Sequence, residues 1–193
     1  MKYTISVTEA GGAREKLVLE SRAGESVRHI VLKIVAYLLF APTAPGPLRI
    51  EQAVGQRHRP DLVVTDPASG AVVLWIDCGQ IETRRLGRIA ASNPGALLYV
   101  VKSTSREASS YAESAVRFLP EGGERRDRIR FVGFRDGFTD DVVAAVRSRN
   151  EIVVRSVGDL FEVDWNGVRL VTGVTELRAS VIFGAGETVS TPS

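Results

Sequence analysis

Polar and apolar residues alternate with the two-residue period of a strand at 3–8 and again at 16–21, with Gly11-Gly12 between them. That pattern predicts a hairpin. After Gly24-Glu25-Ser26 the pattern changes to a strongly apolar helix reaching Phe40, which Pro42, Pro45 and Pro47 terminate. Its most apolar run, 30–41, contains Lys33 and falls short of the roughly 20 residues a bilayer requires, so it predicts a buried helix. A short strand at 48–51 and a polar stretch carrying Arg57, His58 and Arg59 follow. Residues 61–65 and 72–77 read as two strands around the turn Asp66-Pro67-Ala68-Ser69-Gly70. The second strand, Val72-Val73-Leu74-Trp75-Ile76, is apolar at every position, as in a central strand covered on both faces, with Trp75 in the core.

A helix at 82–92 carries Arg84, Arg85 and Arg88, and Asn93-Pro94-Gly95 stops it. A strand (96–101), a helix (105–118), a strand (129–134) and a helix (140–147) complete an α/β layer. The last third reads as a β meander at 151–156, 160–165 and 168–172, with Asn166-Gly167 as a hairpin turn. The expected organisation is one domain over 1–180 and a Gly/Thr/Ser/Pro tail over 181–193.

Composition narrows the function less than the pattern does. A net charge of +2 gives no whole-protein argument for nucleic acid. The 25 basic residues include only four lysines, leaving 21 arginines, which suit phosphate recognition but first reflect a compositional bias. Cys78 is the single cysteine, which excludes an intrachain disulfide and a four-cysteine zinc site. His29 and His58 lack the spaced partners of a zinc set. Residues 1–9 show no apolar signal-peptide core. The expectation is a cytoplasmic protein with no membrane association and no disulfide-linked partner.

The segment that carries chemistry is Pro60-Asp61 followed by Ile76-Asp77-Cys78-Gly79-Gln80. Asp61 starts one strand and Asp77 finishes the next, so an antiparallel pair brings the two carboxylates together. Mg²⁺ takes oxygen ligands, commonly one or two carboxylates with water and substrate phosphate. Glu25, expected in the first turn of the long helix, is a third acid within reach of that edge. Each has a structural alternative: a strand-initiating Asp, a turn-capping Asp, and a Glu favoured by the helix dipole.

Leu74-Trp75-Ile76-Asp77-Cys78-Gly79-Gln80 is similar to the W-I-[DE]-x-G-[QL] segment of the YaeQ family, and Pro60-Asp61 with Asp77 resembles the PD-(D/E)xK nuclease signature. Gly24-Glu25-Ser26, the helix around Lys33-Ile34-Val35-Ala36-Tyr37, Thr83-Arg84-Arg85-Leu86 and the C-terminal meander follow in the same order, over about residues 3–178. The resemblance implies an α+β, restriction-endonuclease-like fold: a mixed sheet flanked by helices, with an N-terminal hairpin and a C-terminal meander. It implies a divalent-metal-dependent nuclease using Mg²⁺ or Mn²⁺ held by Glu25, Asp61, Asp77 and the Cys78 main-chain carbonyl. In active relatives a lysine stands two residues beyond the second acid; here Gly79 does. Gln80 is then the candidate to position water beside the catalytic Asp61 and Asp77, and Arg59, Arg84 and Arg85 are candidates to meet phosphate. Gly79 itself reads as a positive-φ or close-approach position. The alternatives are a catalytically degenerate member binding nucleic acid or a protein, and a plain scaffold. An enzyme requires the acids to converge with a positive group beside them.

Overall fold

The apolar run after Ser26 forms a helix whose every residue from Ile30 to Phe40 is buried. In a computed structural model, which describes residues 1–9 and 12–184, this helix, α1 (Val27–Phe40), is the centre of the molecule. A helix apolar all round must be covered all round. The cover is one ten-stranded mixed sheet in the order β2-β1-β8-β9-β10-β7-β6-β5-β4-β3. The elements are β1 (Lys2–Thr8), β2 (Arg14–Glu20), β3 (Arg49–Ile50), β4 (Leu62–Thr65), β5 (Val72–Cys78), β6 (Leu97–Val101), β7 (Ile129–Phe134), β8 (Arg149–Ser156), β9 (Leu160–Trp165) and β10 (Val168–Arg178). Ile5, Ile152, Phe161 and Trp165 from one half of the sheet share a single core with Leu62, Ile76, Val101 and Phe134 from the other, and α1 lies within it.

β5, β6 and β7 run parallel to one another. They are joined through α2 (Thr83–Ser92) and α3 (Ser105–Ala115). The opposite face of these strands, with Trp75, Leu98, Val100 and Phe131, packs on Leu86 and Ile89 of α2 and Ala108 and Ala112 of α3. This two-sided cover explains why Val72–Ile76 is apolar throughout. β4 lies antiparallel to β5, with Leu62 opposite Ile76.

Several expectations need correction. The meander does not end near residue 172: β10 pairs with β9 through Val168–Gly173 and with β7 through Val174–Arg178, joining the two halves of the sheet. Two short helices, α4 (Gly123–Asp127) and α6 (Ala179–Gly184), have no counterpart in the pattern, because each is under two turns. α5 (Phe138–Ala145) starts two residues before the expected position. The expected 105–118 helix tightens into a 3₁₀ turn at Val116–Phe118. Gly11 of the predicted hairpin turn and 185–193 of the predicted tail lie outside the described residues.

Candidate functional site

Antiparallel pairing sets the start of β4 against the end of β5. The Asp61 N–H donates to the Ile76 carbonyl at 3.1 Å. One Asp61 carboxylate oxygen accepts from the Cys78 N–H at 2.7 Å, and the other lies 3.2 Å from His29 Nε2. The start of β4 and the end of β5 thus lie side by side, and the Asp61 charge acts on Asp77.

Asp77 is only 4% exposed. Its Oδ2 is buried without a hydrogen-bond partner, as are Trp75 Nε1, Arg85 Nε and the Tyr111 hydroxyl. Desolvation, and then the negative charge of Asp61, push the Asp77 carboxyl up to about 6, against the opposing pull of Trp75 and Arg85. Its Oδ1 lies 4.0 Å from Arg85 Nη2. Burial, followed by the Asp77 charge, raises the Tyr111 phenol.

Glu25 is placed differently from expectation. The N-cap of α1 is Ser26, whose hydroxyl accepts from the His29 N–H, so Glu25 precedes the helix. Its carboxylate accepts from the Arg22 N–H at 3.0 Å and from Lys33 Nζ at 2.5 Å, and lies 3.3 Å from His29 Nε2. Lys33 also bonds Glu51, which Arg22 holds at 3.0 Å. Burial alone would lower the Lys33 ammonium; the bonds to Glu25 and Glu51 outweigh it and hold the group above its ordinary value. Burial likewise works to raise Glu51, but the Lys33 bond and charge leave it below the carboxylate range. Glu25 thus reaches the site with its charge already matched.

Gly79 has φ +70°, and a Cβ there would come 3.2 Å from His29 Nδ1. Both the positive φ and the close approach make a side chain strained at this position, where the sequence resemblance had pointed to the missing lysine. An ammonium arrives instead from the neighbouring strand. Lys102 follows β6, donates to the Gly79 carbonyl at 2.6 Å and lies 3.8 Å from the Tyr111 ring centroid. Lys102 is buried, and desolvation pushes it down to about 8, with Glu107 and Cys78 partly opposing.

The arginines divide. Arg85 Nη2 donates to the Arg59 carbonyl at 3.4 Å beside Asp77, whereas Arg84 lies over the Phe118 ring at 5.6 Å. Arg59 Nε is turned onto the Glu51 carbonyl. Burial, then the charges of Arg85, Arg88 and Arg57, lowers His58, which marks this edge as electropositive. Gln80 is exposed at the rim of a cavity of about 530 Å³ that Glu25, His29, Gly79, Lys102 and Ser103 also line. Asp61 and Asp77 stand outside its lining. The Cys78 thiol is buried, and burial holds it far above its usual value, so it is no nucleophile. Among the described residues no three His, Cys, Asp or Glu side chains form a ready metal cage.

His29, Lys33, Glu51 and Lys102 were not anticipated. Glu25, His29 and Lys33 recur every four residues into an apolar helix, a spacing that marks one polar stripe. Lys102, closing the apolar strand beside that of Asp77, carried a weaker signal.

The model of the family described as "YaeQ protein" matches residues 13–160. The chain belongs to the YaeQ family. The crystal structure of a YaeQ protein from Xanthomonas axonopodis pv. citri aligns with a TM-score of 0.68 and 16% identity, over 91% of this chain and 96% of that one. The YaeQ protein from Pseudomonas syringae aligns with a TM-score of 0.69 and 12% identity, over 91% and 94%. At such identities the likeness is one of fold, which both YaeQ structures share with this chain over nearly their whole lengths. No curated protein matches the sequence.

Proposed function

We propose that the chain is a divalent-cation-dependent phosphodiesterase acting on nucleic acid, with a PD-(D/E)xK-like site at the β4–β5 edge. The observation that carries this reading is the juxtaposition of Asp61 with a buried Asp77 whose Oδ2 has no protein partner and whose carboxyl is pushed up to about 6. A carboxylate so placed costs free energy until a cation or proton joins it.

Asp61, Asp77 and the Cys78 main-chain carbonyl would hold Mg²⁺ or Mn²⁺, which complete their shells with water and substrate phosphate, with Asp61 exchanging its contact with His29 for the cation. Glu25 fits less well as a ligand, because Lys33 and His29 already hold it. Its assignment here is to orient His29 toward Asp61. When bound, the cation supplies charge neutralisation at the phosphate and a water of lowered pKa. The protein's own part is to place the phosphate and that water. Arg85 stands beside Asp77 to meet a phosphate oxygen, with Arg57 and Arg88 extending the positive edge. Gln80, at the rim, offers its amide to the attacking water. Hydrolysis then forms a new P–O bond from water as the sugar oxygen leaves with a proton.

A second reading, a nucleic-acid-binding or protein-binding module without turnover, is favoured by the pairing of Glu25 with Lys33 and by Gly79 at the lysine position. Calorimetric titration with Mn²⁺ separates the two. Saturable binding is expected in the wild type and not in Asp77→Ala, with cleavage of some member of a DNA and RNA panel. Absence of Mn²⁺ binding at millimolar concentration, with and without nucleic acid, would sink the enzyme reading. Nucleic-acid binding in chelator that no cation converts to cleavage would favour the module.

A further inference from the structure

Of the two buried lysines, Lys33 is held between Glu25 and Glu51. Lys102 meets no carboxylate within ion-pair distance among the described residues; its partners are the Gly79 carbonyl and the Tyr111 ring. A nearly enclosed ammonium with no carboxylate at contact distance is costly, and it faces the cavity between the start of α1, the β5–α2 turn and the start of α3. Glu107, which lines the cavity and whose charge acts on Lys102, is engaged by the Ser103 N–H at 3.1 Å. Glu25, on the opposite wall, is matched by Lys33 at 2.5 Å. Arg28, which is paired with Asp140, and His29, whose Nε2 faces Glu25 and Asp61, also line it, and Ser26, Ser103 and Ser110 add hydroxyls. The lining therefore carries two acids that already accept hydrogen bonds and one enclosed cation that has no carboxylate among the described residues at contact distance.

We propose that this cavity is a phosphate subsite for the nucleic-acid substrate, with the Lys102 ammonium as its fixed counter-charge. The proposal rests on the phosphodiesterase reading and deepens it by adding a phosphate-binding residue in the cavity beside the start of α1, apart from the arginine edge formed by α2. The Gly79 carbonyl and Tyr111 ring hold the ammonium in place before any ligand arrives, so little ordering cost falls on binding. Gly79 contributes by lacking a side chain, since a Cβ would press on His29 at the cavity wall.

The test is run in chelator, so that its result is independent of cation-dependent cleavage. Inorganic phosphate is titrated calorimetrically into the full chain, into Lys102→Met and into Lys102→Arg, and a 5′-phosphorylated trinucleotide is used as competitor. The wild type is expected to bind phosphate saturably, Lys102→Met at least tenfold more weakly, Lys102→Arg with partial recovery, and the trinucleotide to displace phosphate. A second measurement needs no variant: phosphate is expected to protect Lys102 from an amine-acylating reagent, read by peptide mass spectrometry. Equal binding by Lys102→Met, or no saturable binding and no protection in the wild type, would overturn the subsite. Phosphate binding that the trinucleotide fails to displace would overturn its assignment to nucleic acid. Loss of the cleavage reading alone would leave these chelator titrations unchanged.

Discussion

At the scale of single residues, Asp77 shows how burial turns an ordinary acid into a poised one. Its carboxyl is raised to about 6, so the folded protein holds the proton more tightly than the unfolded chain does. Without cation, stability is fully expressed below the unfolded carboxylate range and declines as pH rises toward about 6, by roughly 3 kcal/mol for a two-unit shift. Asp77→Asn in chelator is therefore expected to raise the thermal midpoint at pH 8 and to leave it nearly unchanged at pH 4. Mn²⁺ is expected to stabilise the wild type at pH 8 and not the variant, because only a ligand that binds the native state shifts the equilibrium. Thermal melts at the two pH values, with and without Mn²⁺, check both. Asp61 and Asp77 were legible as a pair because the antiparallel geometry follows from their positions at the ends of adjacent strands. Lys102 was not, because its meeting with Gly79 depends on β6 lying parallel beside β5.

At the scale of elements, α1 is tied to the chain on both sides of it by Lys33. The ammonium links Glu25, before the helix, to Glu51, just beyond β3. Lys33→Met removes the cation and leaves two carboxylates facing each other at the edge of the core. Breaking a buried pair in this way costs about 3–5 kcal/mol. The sign with pH follows from Glu51, whose folded value is depressed: its contribution is present above the unfolded carboxylate range and lost as pH falls through the folded value. The Lys33→Met deficit in urea unfolding is therefore expected to be largest near pH 7 and to shrink below about pH 4. The polar stripe Glu25–His29–Lys33 was readable as spacing. Its role was not, since Glu51 comes from another element and enters through a left-handed backbone at φ 53°.

At the scale of the whole molecule, β10 makes one sheet of what would otherwise be two. One core runs from Tyr3 and Trp165 through α1 to Ile76 and Phe134. Unfolding is expected as one transition, with far-ultraviolet and near-ultraviolet circular dichroism curves superimposing. Trp165, beside the Asn166-Gly167 turn, is fully enclosed, and its indole N–H donates to Asn150 Oδ1 at 3.0 Å. Trp165→Ala is expected to lower stability by about 3–5 kcal/mol while keeping the single transition. Separate transitions for the two halves would show that α1 does not couple them.

By itself the sequence determined most strands and the long helices, the burial of α1, the central place of Val72–Ile76 and the meeting of the strand ends that carry Asp61 and Asp77. Those features follow from periodicity, from proline and glycine punctuation and from short connections, all of which act locally along the chain. Tertiary structure alone decided that the sheet wraps α1, that Lys33 takes up Glu25, that Arg84 and Arg85 part company, and that Lys102 reaches the Gly79 carbonyl from the neighbouring strand. Each of these depends on which strand lies beside which, and on how far a side chain reaches across that contact. Register and packing of distant segments set such distances, and no local pattern of residues carries them.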